Sequence, residues 1–191
     1  MGNSSSSSLP KLQTVATCDT SRFMGTWFVV GVKPTMFETT CSNAVEKYSL
    51  TEEGKGHDVD IDFQYNEKED MSSKLKSLPQ KGWILGDKSN SGKWKVSPFW
   101  PVKMPYPIIE LDDKDYSYCV IGYPSRDYCW IMARKPVMPE DTYNALTTKL
   151  VEKHQYSLEG LRKVPQTWTR EEREKRGLTN VEIPDELLSE Q

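Results

Sequence analysis

The sequence is poor in the residues that most often carry catalysis or bind metal ions. Among its 191 residues there are two histidines, His57 and His154, and both stand in charged surroundings that predict a surface position. The four cysteines form no Cys-x-x-Cys pair; they are Cys18, Cys41, Cys119 and Cys129. A histidine-based triad, a zinc site and a thioredoxin-type redox pair are therefore not indicated, and we expect neither a cofactor nor a metal.

Charge and hydropathy exclude two further classes of protein. The chain has 25 Lys and Arg residues against 28 Asp and Glu residues, a formal net charge of −3, whereas nucleic-acid binding needs a basic surface. No apolar run approaches the roughly 18 residues of a membrane-spanning helix. After Met1 and Gly2 the chain enters a serine run instead of an apolar stretch, so no secretory leader is predicted. We therefore expect a cytoplasmic protein with free thiols.

Composition divides the chain into three parts. Residues 1–17 are rich in serine and predict a flexible arm. Residues 169–191 are almost entirely polar or charged with mixed signs, which is typical of a solvated helix or a disordered tail. The folded unit is expected to cover residues 18–168.

Alternation of apolar and polar residues dominates the folded unit. Residues 58–65 carry Val, Ile, Phe and Tyr at every second position with Asp or Gln between them, as expected for a strand with one face on a core. Turn signals separate further segments of this kind. The predicted strands are 25–33, 43–50, 58–65, 71–78, 82–86, 93–97, 106–112, 116–123 and 127–134.

One late segment has helical spacing instead. Tyr143, Leu146 and Leu150 fall on one face of a predicted helix over 139–154, and a short apolar strand follows at 161–164. This order predicts an all-β fold, an eight-stranded antiparallel up-and-down barrel with one C-terminal helix. Such a barrel is just wide enough for packed side chains or for one small ligand, and periodicity alone leaves both alternatives open.

Three local patterns carry a family resemblance. Gly25-Thr26-Trp27 opens the first strand, Asp127-Tyr128 starts a late strand, and Arg134 ends it. Together they resemble the three conserved regions of the lipocalins. The resemblance implies that Trp27 closes the floor of the barrel and that Arg134 packs across it, as a guanidinium over an indole face.

The resemblance is closer to one branch of the lipocalins, which contains bacterial outer-membrane lipocalins, plant temperature-induced lipocalins and apolipoprotein D. It is carried by Cys41-Ser42-Asn43 with Tyr48-Ser49-Leu50, by residues 123–134, and by Pro165-Gln166. It covers about residues 20–168. The middle of the chain, residues 66–92, departs from the pattern.

The family resemblance implies a lumen that binds a fatty acid, lysophospholipid or similar small hydrophobic molecule. Tyr48 and Trp130 match lumen-lining positions of the family. Alternation along the strands extends the set of candidate ligand contacts, with core packing as the alternative for each residue. The added candidates are Val29, Gly31, Ile61, Phe63, Cys119, Ile121 and Met132.

Two features predict contact with a membrane surface. The first residues fit the N-myristoylation pattern at Gly2, although an ordinary serine-rich tail is the alternative. The second is the segment 97–107, whose four prolines predict a loop outside the sheet. Its exposed apolar side chains favour a membrane interface, with a lid over the barrel mouth as the alternative, and the two roles are compatible. They are Phe99, Trp100, Val102, Met104 and Tyr106.

The function predicted from the sequence is therefore binding, without catalysis, of a small hydrophobic ligand at the cytosolic face of a membrane. Two alternatives are an enzyme of the lipocalin fold and a non-catalytic, membrane-docked adaptor. An enzyme would use Cys119 or Cys129 as a thiolate, but no nearby histidine supplies a base. The sequence predicts no nucleic-acid partner, and it does not indicate the oligomeric state.

Overall fold

The computed structural model describes residues 9–35, 39–70 and 73–189. A one-turn helix, α1 (Thr20–Phe23), follows Asp19, whose side chain accepts a hydrogen bond from the Arg22 N–H. The strands come next: β1 (Gly25–Lys33), β2 (Ser42–Leu50), β3 (Val59–Asn66), β4 (Leu75–Ile84), β5 (Lys93–Ser97), β6 (Met104–Leu111), β7 (Tyr118–Ile121) and β8 (Cys129–Ala133). After them lie α2 (Glu140–Glu152), β9 (Arg162–Lys163), α3 (Arg170–Lys175) and a 3-10 helix (Asp185–Leu187). No helix within these ranges is long and apolar enough to span a membrane.

The sheet closes on itself because β1 pairs with a strand at each of its edges. Each strand from β2 to β8 runs antiparallel to the next, and β8 pairs with β1 so that Trp130 lies opposite Val32. At its other edge β1 pairs with β2, with Gly25 opposite Tyr48. The predicted eight-stranded antiparallel barrel is therefore confirmed. The short β9 adds one further pairing to the end of β1.

Alternation along the strands produces two apolar clusters, one on each face of the wall. The inner cluster fills the lumen and includes Trp27 and Trp130. The outer cluster includes Phe28 and the apolar face of α2, with Leu146 and Leu150 buried against the wall. Full burial of such side chains contributes about 1.5–3 kcal/mol each, so both faces stabilise the barrel.

The strands predicted at 71–78 and 82–86 are in fact one strand, β4. Residues 71 and 72 lie outside the described ranges, and β4 continues from Leu75 through Pro79 to Ile84. The strand tolerates Pro79 because β5 pairs only with residues 81–84 of β4. On the edge that faces β5, β4 is therefore unpaired at Pro79, and a residue without an N–H can lie there.

Pro105 and Pro107 lie inside β6. The predicted loop 97–107 covered both prolines, and the predicted strand 106–112 covered Pro107 as well. The Gly122 N–H donates to the Pro107 carbonyl at 2.9 Å, so the backbone nitrogen and carbonyl of Pro107 face β7. Pro105 lies two positions earlier in β6, so its backbone groups face the same side. Pairing between β6 and β7 begins only at Ile108. The missing N–H of Pro105 therefore falls where β6 has no paired strand on that side, and the missing N–H of Pro107 falls at the start of the pairing, where the carbonyl of Pro107 still accepts from Gly122. Tyr106 between the two prolines points into the lumen.

Both terminal segments pack on the barrel over their described residues. Leu12 is buried, and the Val15 N–H donates to the Ile108 carbonyl at 3.0 Å. None of the residues of α3 is buried, but Arg176 directly after it is. Arg176 donates to the Asn43 carbonyl at 2.7 Å. The described part of the C-terminal segment therefore packs on the outer wall of the barrel and is not the disordered tail that its composition allowed.

His154 is buried, so its predicted surface position is wrong. Its Nε2 lies 2.8 Å from Glu110 Oε1, and the Nζ atoms of Lys149 and Lys153 lie 3.1 and 2.6 Å from the same carboxylate. Burial opposes ionisation of Glu110, but these hydrogen bonds outweigh it and lower the pKa of Glu110 to about 2. These contacts to Glu110 link the C-terminal end of α2 to β6.

Candidate functional site

One end of the barrel is sealed by Trp27, Phe23 and Arg134. The Arg134 Cζ lies 3.8 Å from the centroid of the Trp27 ring, and the Trp27 Nε1 donates to the Phe23 carbonyl at 2.8 Å. The guanidinium also donates to the carbonyls of Thr26 at 2.9 Å and Arg22 at 2.6 Å. A cation that satisfies several backbone carbonyls and covers an indole face is well suited to hold this end closed.

Most of the candidate ligand contacts lie together on the inner face of the wall. The inner cluster contains Val29, Tyr48, Ile61, Phe63, Cys119, Ile121, Trp130 and Met132. Their side chains are buried against one another, and Trp130, with 9% exposure, is the most accessible of them. The structure thus brings these residues together, and which of them contact a ligand stays a prediction.

Gly31 lies on the other face, so the prediction that it faces a ligand is wrong. The pairing of β1 with β8 shifts between Val29 and Gly31, which is a β-bulge. A Cβ added at Gly31 would lie 2.8 Å from the Tyr143 hydroxyl oxygen of α2. The bulge inserts one residue, reverses the alternation and turns Gly31 outward, toward the helix.

Two polar lumen residues were missed by the sequence analysis. Glu46 is 3% exposed and Tyr106 is 5% exposed. The signal for Glu46 was present, because it precedes Tyr48 by two positions and alternation places both on the same face. Tyr106 was assigned to the membrane loop because of its flanking prolines, and its burial in β6 corrects that assignment.

Glu46, Tyr48 and Tyr106 form a hydrogen-bonded cluster, which we call the lumen triad. The Tyr106 hydroxyl lies 2.8 Å from Glu46 Oε2 and 2.6 Å from the Tyr48 hydroxyl, which itself donates to Glu46 Oε2. Burial and the negative charge of Glu46 raise the pKa of both tyrosines well above the usual value. Both phenols therefore remain neutral hydrogen-bond donors at physiological pH.

The lumen triad lies between the sealed end and the more accessible part of the lumen. The Tyr48 ring packs against Phe23 with 5.3 Å between centroids, and the Tyr106 ring packs against Trp130 at 6.1 Å. Farther from the sealed end, Tyr65 and Leu78 pack on the inner cluster but are only half-buried. The end of the lumen opposite Trp27 is thus lined by aromatic and aliphatic side chains.

The loop between β5 and β6 exposes three apolar side chains. Phe99 is 57% exposed, Trp100 is 71% exposed and Val102 is 43% exposed. The loop lies against the outer wall, because the Lys103 Nζ is 3.8 Å from the ring centroid of Trp83, an outward residue of β4. These contacts do not favour the alternative of a lid. Met104 is half-buried and begins β6, so it is not part of the exposed loop either.

Two further sequence-based hypotheses concern Gly2 and the cysteine thiols. Gly2, the candidate myristoylation site, lies outside the described residues. All four cysteines are buried, and none of them forms a disulfide bond. Burial raises the pKa of Cys129 to about 12 and that of Cys119 well above the usual value, which disfavours the thiolate that a cysteine nucleophile requires.

A closed antiparallel barrel with one helix packed on its outer wall and one sealed end defines the up-and-down β-barrel class. A family model described as a lipocalin-like domain matches residues 18–166. The chain therefore belongs to the lipocalin family, as the sequence resemblance predicted.

Individual relatives agree with this assignment. The temperature-induced lipocalin-1 of Arabidopsis thaliana is 30% identical over 175 residues, which cover 83% of this chain and 85% of the relative. The outer membrane lipoprotein Blc of Citrobacter freundii is 33% identical over 138 residues, which cover 72% of this chain and 74% of the relative. The solved structure of insecticyanin from the tobacco hornworm Manduca sexta matches with a TM-score of 0.60 at 16% identity. That match covers 83% of this chain and 86% of insecticyanin, and it shows the shared fold.

The relatives contradict the predicted cytoplasmic location. Blc is by name an outer membrane lipoprotein, and a protein of the outer membrane is not cytoplasmic. The prediction depended on one local feature, the polar residues that follow Gly2, and such a feature does not decide the location of the folded protein.

Proposed function

We propose that the protein is a non-catalytic carrier or store for a small hydrophobic ligand, such as a lipid with one long acyl or alkyl chain. The observation that carries the proposal is the combination of a sealed end at Trp27 and Arg134 with a mainly apolar inner face and half-buried Tyr65 and Leu78 at the other end. Burial of a hydrocarbon chain contributes about 0.8 kcal/mol per methylene, so a lumen of this kind needs few polar contacts to bind it.

Ligand entry requires movement of the side chains that now fill the lumen. Trp130 packs against Tyr106, and Phe63 stacks on Tyr65 with 4.9 Å between ring centroids. Because the inner face is lined by rings that pack on one another, we expect these four aromatic side chains to separate as a chain enters.

Paired tryptophan variants test this proposal. Protein purified from its own cells should carry extractable lipid, seen by mass spectrometry under native and denaturing conditions. For a titrated fluorescent fatty acid, Trp130→Ala should weaken binding by about tenfold or more, which is about 1.4 kcal/mol. Trp83→Ala, on the outer wall, should leave affinity within about twofold. Absence of both cargo and titratable binding would refute the proposal.

A second proposal concerns the exposed loop: we propose that Phe99, Trp100 and Val102 insert into a membrane interface. Aromatic side chains favour the headgroup region, and Lys103 beside them supplies a positive charge for lipid phosphates. In vesicle sedimentation, Phe99→Ser/Trp100→Ser should shift the protein to the supernatant. The matched control, Val151→Ser/Leu158→Ser, also removes exposed apolar side chains, and it should sediment like the wild type.

An acyl group at Gly2 would add a second attachment to the same membrane. One lipid chain gives only marginal, reversible binding, so a loop and an acyl group together would anchor the protein more firmly than either alone. The intact mass of the native protein reports the modification directly. A mass without an acyl group would leave the loop as the remaining membrane signal.

The same proposal excludes catalysis by the thiols of Cys119, in the inner cluster, and Cys129, in the outer cluster. Cys119 and Cys129 are buried, and their raised pKa values keep them protonated at physiological pH. A Cys119→Ser/Cys129→Ser variant should therefore bind ligand like the wild type. Loss of a lipid-converting activity in this variant would contradict the proposal.

A further inference from the structure

Four exposed lysines lie together on the outer wall of the barrel. Lys93 and Lys95 alternate with buried residues of β5 that belong to the inner cluster, so both point outward. Lys81 is exposed on the adjacent strand β4, and Lys103 is exposed at the end of the loop between β5 and β6. We call Lys81, Lys93, Lys95 and Lys103 the basic face.

The positive charge of the basic face is not balanced by neighbouring side chains. In the part of the chain that the structure describes, none of the four lysines forms an ion pair. On β5 the residue opposite Lys81 is the uncharged Ser97, two positions from Lys95. On β3 the residue opposite Lys81 is Asp60, whose carboxylate instead lies 2.7 Å from His57 Nε2. Positive charge is therefore concentrated on one side of a chain whose formal net charge is −3.

The exposed loop between β5 and β6 lies directly beside the basic face. The ring centroid of Trp100 is 6.5 Å from that of Trp83, and Trp83 is the residue of β4 opposite Lys95. The Lys103 Nζ lies 3.8 Å from the Trp83 centroid and 5.7 Å from the Trp100 centroid. The loop therefore folds down along the outer wall, and its exposed apolar side chains form one continuous surface with the basic face.

We propose that this surface docks onto a bilayer that contains anionic phospholipids, with the outer wall of β4 and β5 turned toward the headgroups. Phe99 and Trp100 insert at the interface, where aromatic side chains are favoured, and the basic face attracts the negative headgroups. A soluble anionic polymer fits less well, because it gives the two exposed rings no apolar region to enter. The inference rests on the proposed membrane function of the loop, and it adds the class of headgroup and the side of the barrel that meets the membrane.

Sedimentation of the full-length protein with two kinds of vesicle tests the inference: phosphatidylcholine alone, and phosphatidylcholine with phosphatidylserine. The wild type should bind the anionic vesicles at least about tenfold more tightly, because each lysine near such a surface contributes about fivefold. In Lys81→Gln/Lys93→Gln/Lys95→Gln this preference should fall to about threefold or less. About 1 M salt, at which the Debye length is about 3 Å, should remove the preference from the wild type as well.

The matched control is Lys114→Gln/Lys135→Gln/Lys175→Gln, which makes the same change of net charge at exposed lysines elsewhere. They lie between β6 and β7, after β8 and in α3. Because the substituted lysines are exposed, both variants should fold like the wild type. The control should keep the wild-type preference, which separates docking by the basic face from the effect of net charge. All variants keep the same N-terminal arm, so an acyl group at Gly2 would contribute equally to each.

The outcomes separate the inference from the proposed function of the loop. Equal binding of the wild type to the two kinds of vesicle would overturn the inference, and so would an unchanged preference in the variant of the basic face. Phe99→Ser/Trp100→Ser reports on the loop itself, and weaker binding of this variant to both kinds of vesicle supports the proposed function whatever the lysines do. Absence of wild-type binding to either kind, or binding that the loop variant does not weaken, would refute the proposed function of the loop.

Discussion

Removal of the Arg134 guanidinium is expected to destabilise the sealed end of the barrel. In Arg134→Met the side chain keeps most of its apolar length but loses its charge and its donors. The carbonyls of Thr26, Arg22 and Phe23 then lose a partner, and the Trp27 ring loses the cation at 3.8 Å.

The expected loss follows from these contacts. Two short charge-assisted hydrogen bonds, discounted because Arg134 is partly exposed, contribute about 2 kcal/mol together. The cation–π contact with Trp27 adds about 1 kcal/mol. The free energy of unfolding should therefore fall by about 3 kcal/mol, and the melting temperature by about 6–12 °C for a domain of this size. Arg134→Lys keeps the charge but not the planar fork, so it should lose about half as much.

Calorimetric and urea-induced unfolding measure this loss. The matched control is Arg170→Met in α3, because Arg170 pairs with Glu174 but its side chain is 91% exposed. An exposed pair of this kind contributes little to stability, because water and salt screen it. If Arg134→Met melted within about 2 °C of Arg170→Met, the reasoning on the sealed end would be refuted.

Three further predictions test other parts of the fold. In Gly31→Ala the new Cβ would lie 2.8 Å from the Tyr143 hydroxyl oxygen. The free energy of unfolding from urea titration should therefore fall by about 1–3 kcal/mol. An unchanged urea midpoint would show that α2 adjusts freely. Because the pKa of Glu110 is lowered to about 2, its contribution to stability is complete above the usual value of 4.5 and is lost as the pH falls toward 2. Glu110→Gln should therefore lose stability less steeply than the wild type on acidification below 4.5, and parallel curves would contradict this. Burial raises the pKa of Cys129 to about 12. Iodoacetamide should therefore label Cys129 at least about tenfold more slowly in the folded protein than in the unfolded protein. Equal labelling rates would refute its burial.

Local patterns were sufficient for the class of the fold. The alternation in residues 58–65 predicted β3, and the spacing of Tyr143, Leu146 and Leu150 predicted α2, because both depend on residues close in sequence. The family resemblance also depended on short motifs. Gly25-Thr26-Trp27 and Arg134 lie far apart in the chain, yet each motif is local.

The sequence-based predictions were wrong where a β-bulge, or a contact with a residue far away in the chain, decides the position of a side chain. The bulge in β1 reversed the direction of Gly31, and no sequence pattern marked it. Pro105 and Pro107 were assigned to a loop from their missing N–H groups alone. Whether such a proline disrupts a strand depends on whether a partner strand lies on the side that its nitrogen faces, and the sequence does not show this. His154 was predicted at the surface, since the carboxylate that binds it lies 44 residues earlier in the chain.

The sequence by itself determined the alternating strands, the late helix and the family, because these follow from short-range periodicity and from motifs of a few residues. Only the tertiary structure decided the contents of the lumen. Glu46 and Tyr106 are 60 residues apart, and they meet because closure of the barrel brings β2 and β6 to face each other across its interior. A contact across a closed sheet depends on strand register and on every bulge between its partners, and neither is encoded in any short segment.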